Sequence, residues 1–249
     1  MFDLNKNRIS SLLNKNILVE TFDEIDSTSS YIKRNIFSYD KEVLVCAKTQ
    51  TSGRGRRGNK FISNVEGCYF SFSFFEKSEH ITLKVALAIL KAIKKLYDIN
   101  LSIKWVNDIF FNGLKCGGIL SELVFNQDKP IYIIGIGLNI NQDILDPSLN
   151  NIATSLKLDN FDINILIAEI YNEFIKVNRY SNDEVLKEYE NNMFLINKNI
   201  YFTYENEELN GVVKGINDEG NLIVEVKDKT LILNSGEISL NSKKIINNL

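Results

Sequence analysis

The stretch Gln50-Thr51-Ser52-Gly53-Arg54-Gly55-Arg56-Arg57-Gly58 packs three glycines and three arginines between two runs of strand-like composition, Val43–Lys48 and Cys68–Glu76. Glycine admits positive φ and lets backbone approach a ligand, and arginine offers a forked donor for phosphate or carboxylate. No acidic residue lies among them, so the arginines repel one another until an anion arrives. These residue types predict a mobile loop that closes over a phosphate-bearing ligand. Gly53-x-Gly55-x-x-Gly58 fits the dinucleotide-binding spacing, but that pattern opens a helix. Asn59–Gly67 has no apolar periodicity and leads into a strand, which removes that reading. A kinase-type glycine loop does lie between strands, yet no Val-Ala-Ile-Lys, His-Arg-Asp or Asp-Phe-Gly follows. A solvated basic turn is the plain alternative, and the other chemistry-bearing residues must decide.

Asp26-Ser27-Thr28-Ser29-Ser30 is a natural helix N-cap. Capping alone accounts for Ser27 and Thr28; the functional reading is that spare hydroxyls and helix-start amides face a ligand. Lys104 and Asp108 stand near the end of one strand, and Lys115 lies just past a hairpin. Glycine inside a strand is costly unless something approaches the backbone closely. Gly117-Gly118 and Gly135-x-Gly137 repeat that device on neighbouring strands, which suggests a narrow slot floored by backbone. Paired bulges, or glycines beneath a crossing aromatic, fit equally well.

Composition narrows the chemistry. The 249 residues are 44% hydrophobic and 24% charged, enough for one large domain or a large and a small one. A net charge of -3 argues against wholesale nucleic-acid binding, so phosphate affinity is expected to be local. Cys46, Cys68 and Cys116 lack CxxC spacing and read as reduced core thiols of a cytoplasmic protein. His80 is the sole histidine, which argues against a zinc site and leaves a Ser-His-Asp hydrolase one base, placed at a helix start and expected to be exposed. The N-terminal residues, broken by Asp3 and Lys6, do not form a signal peptide, and no run is long enough to span a membrane.

Strands and helices alternate to position these groups. Strand Ile17–Glu24 runs into a helix over Ser29–Phe37. Ile81–Tyr97 is amphipathic, with Leu83, Ala86, Leu87, Leu90, Ile93 and Tyr97 on one face. Leu101–Trp105, a hairpin at Asn112-Gly113, Leu114–Phe125 and Ile131–Asn141 form a meander. Phe161–Val177 and Asn182–Met193 are helices, capped by Asp162 or Asn164 and by Asn182 or Asp183. Short alternating strands at 199–204, 208–216, 222–227 and 230–233 predict a small antiparallel barrel-like unit, with the boundary near Leu195–Asn197.

Taken in order, Asp26-Ser27-Thr28, the arginine loop, Lys104-Trp105-Val106-Asn107-Asp108, Lys115-Cys116-Gly117-Gly118-Ile119-Leu120-x-Glu122 and Gly135-Ile136-Gly137-Leu138-Asn139-Ile140-Asn141 resemble the biotin–protein ligase family. The resemblance continues through Ala153-Thr154-Ser155-Leu156 to Gly236-Glu237-Ile238-Ser239-Leu240 and covers nearly the whole chain. It implies an α+β fold: a mixed, largely antiparallel sheet packed by helices, as in class II synthetases and lipoate ligases, over residues 1–195, and an SH3-like β-barrel over 196–249. Val106 stands where the family usually has proline, and Phe61 where it commonly has tryptophan. The family's bifunctional members add an N-terminal helix-turn-helix; Met1–Asn16 is too short for one, so the expectation is a monofunctional ligase without specific DNA binding.

The resemblance also implies a reaction. Biotin's carboxylate attacks the α-phosphate of ATP to give biotinyl-5′-AMP and pyrophosphate, and a lysine of a biotin carboxyl carrier protein then displaces AMP. Two anions meet in the first step, so Lys115 and Arg56, with Arg54 and Mg²⁺, are expected to neutralise them. Asp108 is the expected metal-linked carboxylate, with ribose or the acceptor amine as alternatives. Ser27, Thr28, Ser29, Gln50 and the loop residues Gly53, Arg54, Gly55 and Arg57 are expected around biotin and the adenylate. Trp105, Asn107, Gly117, Gly118 and Asn139 complete that set. A homodimer is expected through Ile131–Ile140, read as a strand near a sheet edge.

Overall fold

The structure is a computed structural model that describes residues 3–143, 149, 151–205, 207–227 and 229–234, and the backbone of 239–240. Of the motif at 236–240, residues 236–238 and the side chains of Ser239 and Leu240 lie outside the described residues.

The larger sheet comprises β1 (Leu18–Ile25), β2 (Val43–Gln50), β3 (Cys68–Phe74), β4 (Ser102–Lys104), β5 (Asp108–Phe111), β6 (Leu114–Asn126) and β7 (Lys129–Leu138). Their spatial order is β1-β2-β3-β7-β6-β5-β4. Only β1 and β2 run parallel, because α2 (Thr28–Asn35) makes the crossover between them; every other pair in this sheet is antiparallel. The N-terminal helix α1 (Lys6–Leu12) has no counterpart in the sequence reading. It is short, buries only Ile9, and is held by the Asn5 side chain accepting from the amides of Asn7 and Arg8.

Period-two alternation divides the strands between two cores. Leu44 and Cys46 of β2 face the large core, with α3 (Ile81–Tyr97) and α4 (Ile163–Val177), while Val43 and Val45 face a small core with Ile32 and Ile36. On β7, Ile131 and Ile133 join that small core and Ile134, Ile136 and Leu138 join the large one. Burial on both faces explains the near-continuous apolar run of β7, and it corrects the edge assignment: β7 lies between β3 and β6. The open edge on this side belongs instead to β6, whose pairing with β5 ends at Gly118.

The helices end where local chemistry dictates. The α3 bounds equal those read from periodicity, while α5 (Asn182–Asn191) starts from Ser181 in a reciprocal capping box with Glu184. All three cysteines are free and buried, and burial pushes the Cys116 thiol up to about 12.

A second, antiparallel sheet follows: β8 (Asn199–Tyr204), β9 (Glu207–Ile216), β10 (Leu222–Val226), β11 (Lys229–Leu233) and β12 (Ser239–Leu240), in the order β11-β10-β9-β8-β12. Its apolar face, with Ile200, Phe202, Val213 and Leu222, belongs to the same buried cluster as α3 and α4. The β9–β10 turn reaches back to the larger sheet, where Trp105 Nε1 donates to the Gly220 carbonyl at 2.9 Å.

Candidate active site

On the α2 side of the sheet the apolar residues give way to Ser71, Gly135, Gly137 and Gly118, and a cleft of about 230 Å³ opens. Its walls are the α2 N-terminus, the arginine loop and the β4–β6 hairpins. Most residues expected from the sequence converge here: Ser27, Thr28, Ser29, Gln50, Arg54, Gly55, Arg56, Arg57, Trp105, Asn107, Asp108, Lys115 and Gly118 all line it. Gly53, Gly117 and Asn139 do not.

The hydroxyl wall is a built network. Ser27 caps α2 by accepting from the Ser30 amide at 3.4 Å, and its Oγ lies 3.1 Å from Ser29 Oγ. The Gln50 carbonyl oxygen accepts from the Thr28 amide at 2.9 Å and the Thr28 hydroxyl at 3.2 Å, while its amide donates to Ser63 Oγ at 2.8 Å. Thr28 Oγ1 also lies 2.7 Å from Ser71 Oγ on β3. Capping and ligand-facing placement therefore coexist in Ser27 and Thr28. Both are buried, so their remaining hydrogen-bonding capacity is turned towards the cleft or to neighbouring protein groups.

The arginine loop is closed at its base by backbone. Phe61 N donates to Gly53 O at 2.9 Å and Gly55 N to Asn59 O at 2.8 Å, and Arg54 bridges Lys60. A Cβ at Gly53 would meet the Phe61 carbonyl oxygen at 2.3 Å, so Gly53 is required by loop closure. Arg56 Nη1 donates to Asn107 Oδ1 at 3.2 Å, and Arg54 Nη1 to Ser30 Oγ at 3.4 Å. Burial and the neighbouring Arg57 hold the Arg56 pKa below the ordinary arginine value. Arg54 and Arg56 thus each reach a neutral protein group while Arg56 and Arg57 still repel one another.

Phe61 lies over the sheet, its ring 2.6 Å from where a Gly137 Cβ would stand. Gly137 is thus a glycine beneath a crossing aromatic, and Gly135 shares its face. Gly118 opens freely, with Lys115 Nζ 3.6 Å and Asp108 Oδ1 3.7 Å from its built Cβ position. Gly117 points the other way, where a Cβ would strike Leu138 Cδ2 at 2.4 Å and the Gly137 carbonyl at 2.8 Å. Adjacent strand residues face opposite sides, so only one of that pair could floor the slot.

Charge is concentrated at the end of β4 to β6. Lys115 Nζ pairs with Asp108 Oδ1 at 2.6 Å. Lys104, directly opposite Asp108 in the β4–β5 ladder, also lines the cleft, although the sequence reading assigned it no role. Burial lowers its pKa to about 8; Asp108 opposes the shift and Lys115 adds to it. Among the described residues Asp108 is the one carboxylate lining the cleft, and no three His, Cys, Asp or Glu residues could share a metal. The described residues therefore offer no three-ligand metal cage. Asp108 is the residue in the cleft that would hold a divalent ion.

The turn after β4 carries a cis peptide between Trp105 and Val106. Asn107 links the hairpins, donating to the Ile119 carbonyl at 2.9 Å while accepting from Arg56. Asn139 lies beneath the cleft wall, donating to the Thr154 carbonyl at 3.1 Å and accepting from Gln142 at 2.8 Å. His80 is half-buried beside the Gly220 turn rather than exposed, and it does not line the cleft.

The cleft thus combines a glycine-floored slot, a hydroxyl wall and an arginine loop on a mixed sheet. Residues 21–139 match the Biotin/lipoate A/B protein ligase family and residues 195–241 the Biotin protein ligase C terminal domain. The chain belongs to the biotin protein ligase family. It is 32% identical over 216 residues to the bifunctional ligase/repressor BirA of Bacillus subtilis, covering 79% of this chain and 66% of that protein. The biotin–[acetyl-CoA-carboxylase] ligase of Mycobacterium tuberculosis is 24% identical over 212 residues, covering 79% of this chain and 78% of that one. Among solved structures, the biotin protein ligase of Aquifex aeolicus in complex with biotin and ATP superposes with a TM-score of 0.75 at 28% identity, covering 90% of this chain and 98% of that one.

Proposed function

We propose that this chain is an ATP-dependent biotin–protein ligase that makes biotinyl-5′-AMP and transfers the biotinyl group to a lysine of a biotin carboxyl carrier protein. In the first step a carboxylate oxygen bonds to the α-phosphorus and the bond to pyrophosphate breaks. In the second the lysine nitrogen bonds to the acyl carbon, AMP leaves and the amine gives up a proton. The observation that carries this reading is the convergence of Lys115, Lys104 and Arg56 on the cleft that Ser27, Thr28 and Ser29 also line.

Lys115 and Arg56 supply charge at the reacting phosphate, where a preorganised donor in a water-poor site is worth most. Asp108 holds Lys115 in place and is available to the acceptor amine. The hydroxyls of Ser27 and Thr28 and the Gln50 side chain suit the neutral, donor- and acceptor-rich ureido ring, and Gly118 and Gly135 leave room for the thioether ring. Asp108 would hold magnesium, which would supply charge neutralisation for the triphosphate. We assign residues 1–195 to the catalytic unit, 196–249 to the C-terminal unit, and the protein to the cytoplasm.

ATP–pyrophosphate exchange measured with biotin and with lipoate tests the reading. Biotin-dependent exchange is expected. Exchange with lipoate alone would make the chain a lipoate ligase, and biotin binding without exchange would make it a binding module.

A further inference from the structure

Behind the cleft lies a buried side-chain network that joins two of its walls. Its centre is Gln142, a buried residue in the segment after β7. The Gln142 carbonyl oxygen Oε1 accepts from the Ile140 amide at 3.1 Å. Its Nε2 donates to Tyr69 OH at 3.0 Å and to Asn139 Oδ1 at 2.8 Å, and its backbone carbonyl accepts from Ser155 Oγ at 2.6 Å.

One arm leads to the arginine loop. Tyr69 OH donates to the Asn64 carbonyl at 2.9 Å, fixing the segment by which that loop returns to β3. The Tyr69 ring meets Phe61 edge-on, with centroids 6.2 Å apart, and Phe61 is the aromatic laid over Gly137. A Cβ at Gly67 would sit 1.9 Å from Tyr69 OH and 2.8 Å from Gln142 Oε1, so the chain is glycine where the hydroxyl and amide need the space.

The other arm leads to Lys115. Ser155, through Gln142 O, and Asn139, donating to Thr154 O at 3.1 Å, hold the segment 152–156 against the sheet. That segment grips the Lys115 backbone from both sides: Lys115 N donates to Ile152 O at 2.9 Å and Thr154 N to Lys115 O at 2.8 Å.

We propose that Gln142 is a positioning residue that couples the stem of the arginine loop to the strand carrying Lys115, so that one buried residue, through its side-chain amide and its backbone carbonyl, sets both walls of the adenylation cleft. The proposal rests on the ligase reading for its consequences in turnover, while the coupling itself is a property of the fold. The arms are separable by mutation. Tyr69→Phe severs the first, Ser155→Ala the backbone-carbonyl link of the second, and Gln142→Leu the first together with the second arm's link through Asn139. Losing one buried hydrogen bond changes an equilibrium about three- to tenfold.

Biotinyl-AMP formation by pyrophosphate exchange and biotinyl-AMP dissociation from the preformed complex are measured for each variant, with thermal unfolding alongside. Y69F is expected to release the adenylate about tenfold faster at near-normal exchange. S155A is expected to slow exchange about tenfold with normal retention, and Ser155→Thr, which keeps the hydroxyl, to restore it. Q142L is expected to do both, and adding Y69F to Q142L to change retention no further. Equal effects of Y69F and S155A on the two readouts, additive effects in the double variant, or a loss of thermal stability with both readouts intact would overturn the coupling. Amide exchange on the ligand-free protein separates this from the ligase reading. Y69F should deprotect the Phe61 amide alone, S155A the Lys115 and Thr154 amides alone, and Q142L all three. If the wild type shows no biotin-dependent exchange, the ligase reading falls while this amide pattern still decides the coupling.

Discussion

Replacing Lys104 with methionine should stabilise the protein and disable it. Lys104 is a buried ammonium at the end of β4, and burial brings its pKa from 10.5 to about 8. At about 1.4 kcal/mol per pH unit, the folded state at neutral pH bears roughly 3 kcal/mol for keeping that lysine charged, with the opposing effect of Asp108 already included. The sign follows from proton counts. Between pH 8 and 10.5 the unfolded chain holds this proton more tightly than the folded one, so stability should rise with pH across that window and the cost persists in full below pH 8. Lys104→Met fills a similar volume without charge. It should raise unfolding stability at pH 7 by about 2–3 kcal/mol, remove the rise between pH 8 and 10.5, and lower adenylation by roughly a hundredfold through loss of a cation from the cleft. Chemical denaturation of both proteins from pH 7 to 10.5, with pyrophosphate exchange at pH 7, makes the measurement. A variant no more stable than wild type at pH 7, or a wild type flat across the window, would refute the account of Lys104 as a charge held at the fold's expense.

Lys115→Ala should cut pyrophosphate exchange by about two orders of magnitude, and near-normal exchange would remove Lys115 from the reaction. Arg56→Gly should leave some synthesis but weaken adenylate retention by about 1.5–3 kcal/mol, read as labelling of bystander lysines and a ten- to hundredfold faster dissociation. Amides across Thr51–Phe61 should gain hydrogen-exchange protection when biotinyl-AMP binds; equal protection with and without it would mean a rigid loop. A homodimer is predicted through the outer edge of β6, where Leu123 and Phe125 stand 48% and 58% exposed, so Leu123→Lys should weaken association in sedimentation measurements with the adenylate bound. An unchanged association constant would place the interface elsewhere.

What the sequence made legible was what local spacing determines. The apolar stripe of Ile81–Tyr97 is long enough that helix and core face follow from period alone, and the Asn112-Gly113 turn set the β5–β6 hairpin with both turn residues at positive φ. The glycine slot was half readable. Gly135 and Gly137 are two apart and share a face, whereas Gly117 and Gly118 are adjacent and cannot, a distinction period two already contains. What was not legible is non-local. Nothing near Ile131–Ile140 reveals that β3 will flank it, so its apolar character suggested an edge when it came from burial on both faces. Ser71 sits in an aromatic strand with no signal of its own, and it matters only because Thr28 arrives 2.7 Å away from across the sheet. Asn139 follows Gly137 by two and should share its face, but β7 ends at Leu138 and the side chain turns to bind Thr154 instead.

The costly features of this chain are gathered in one place, and that is itself an argument about function. Among the described residues the cleft is lined by Arg54, Arg56, Arg57, Lys60, Lys104 and Lys115 against the single carboxylate of Asp108, in a chain whose net charge is -3. Six cations around one anion repel one another, and a fold selected for stability alone would disperse them over the surface. Gathered here they meet a demand of the proposed reaction that stability does not impose: a carboxylate and a triphosphate must approach within bonding distance despite their own repulsion. The same surplus explains the order of events in the proposed reaction. Pyrophosphate carries most of the negative charge away, and the adenylate that remains is held by the cations that line the cleft, chiefly the arginine loop. In the proposed reaction, retention until an acceptor lysine arrives therefore follows from the charge balance of the cleft.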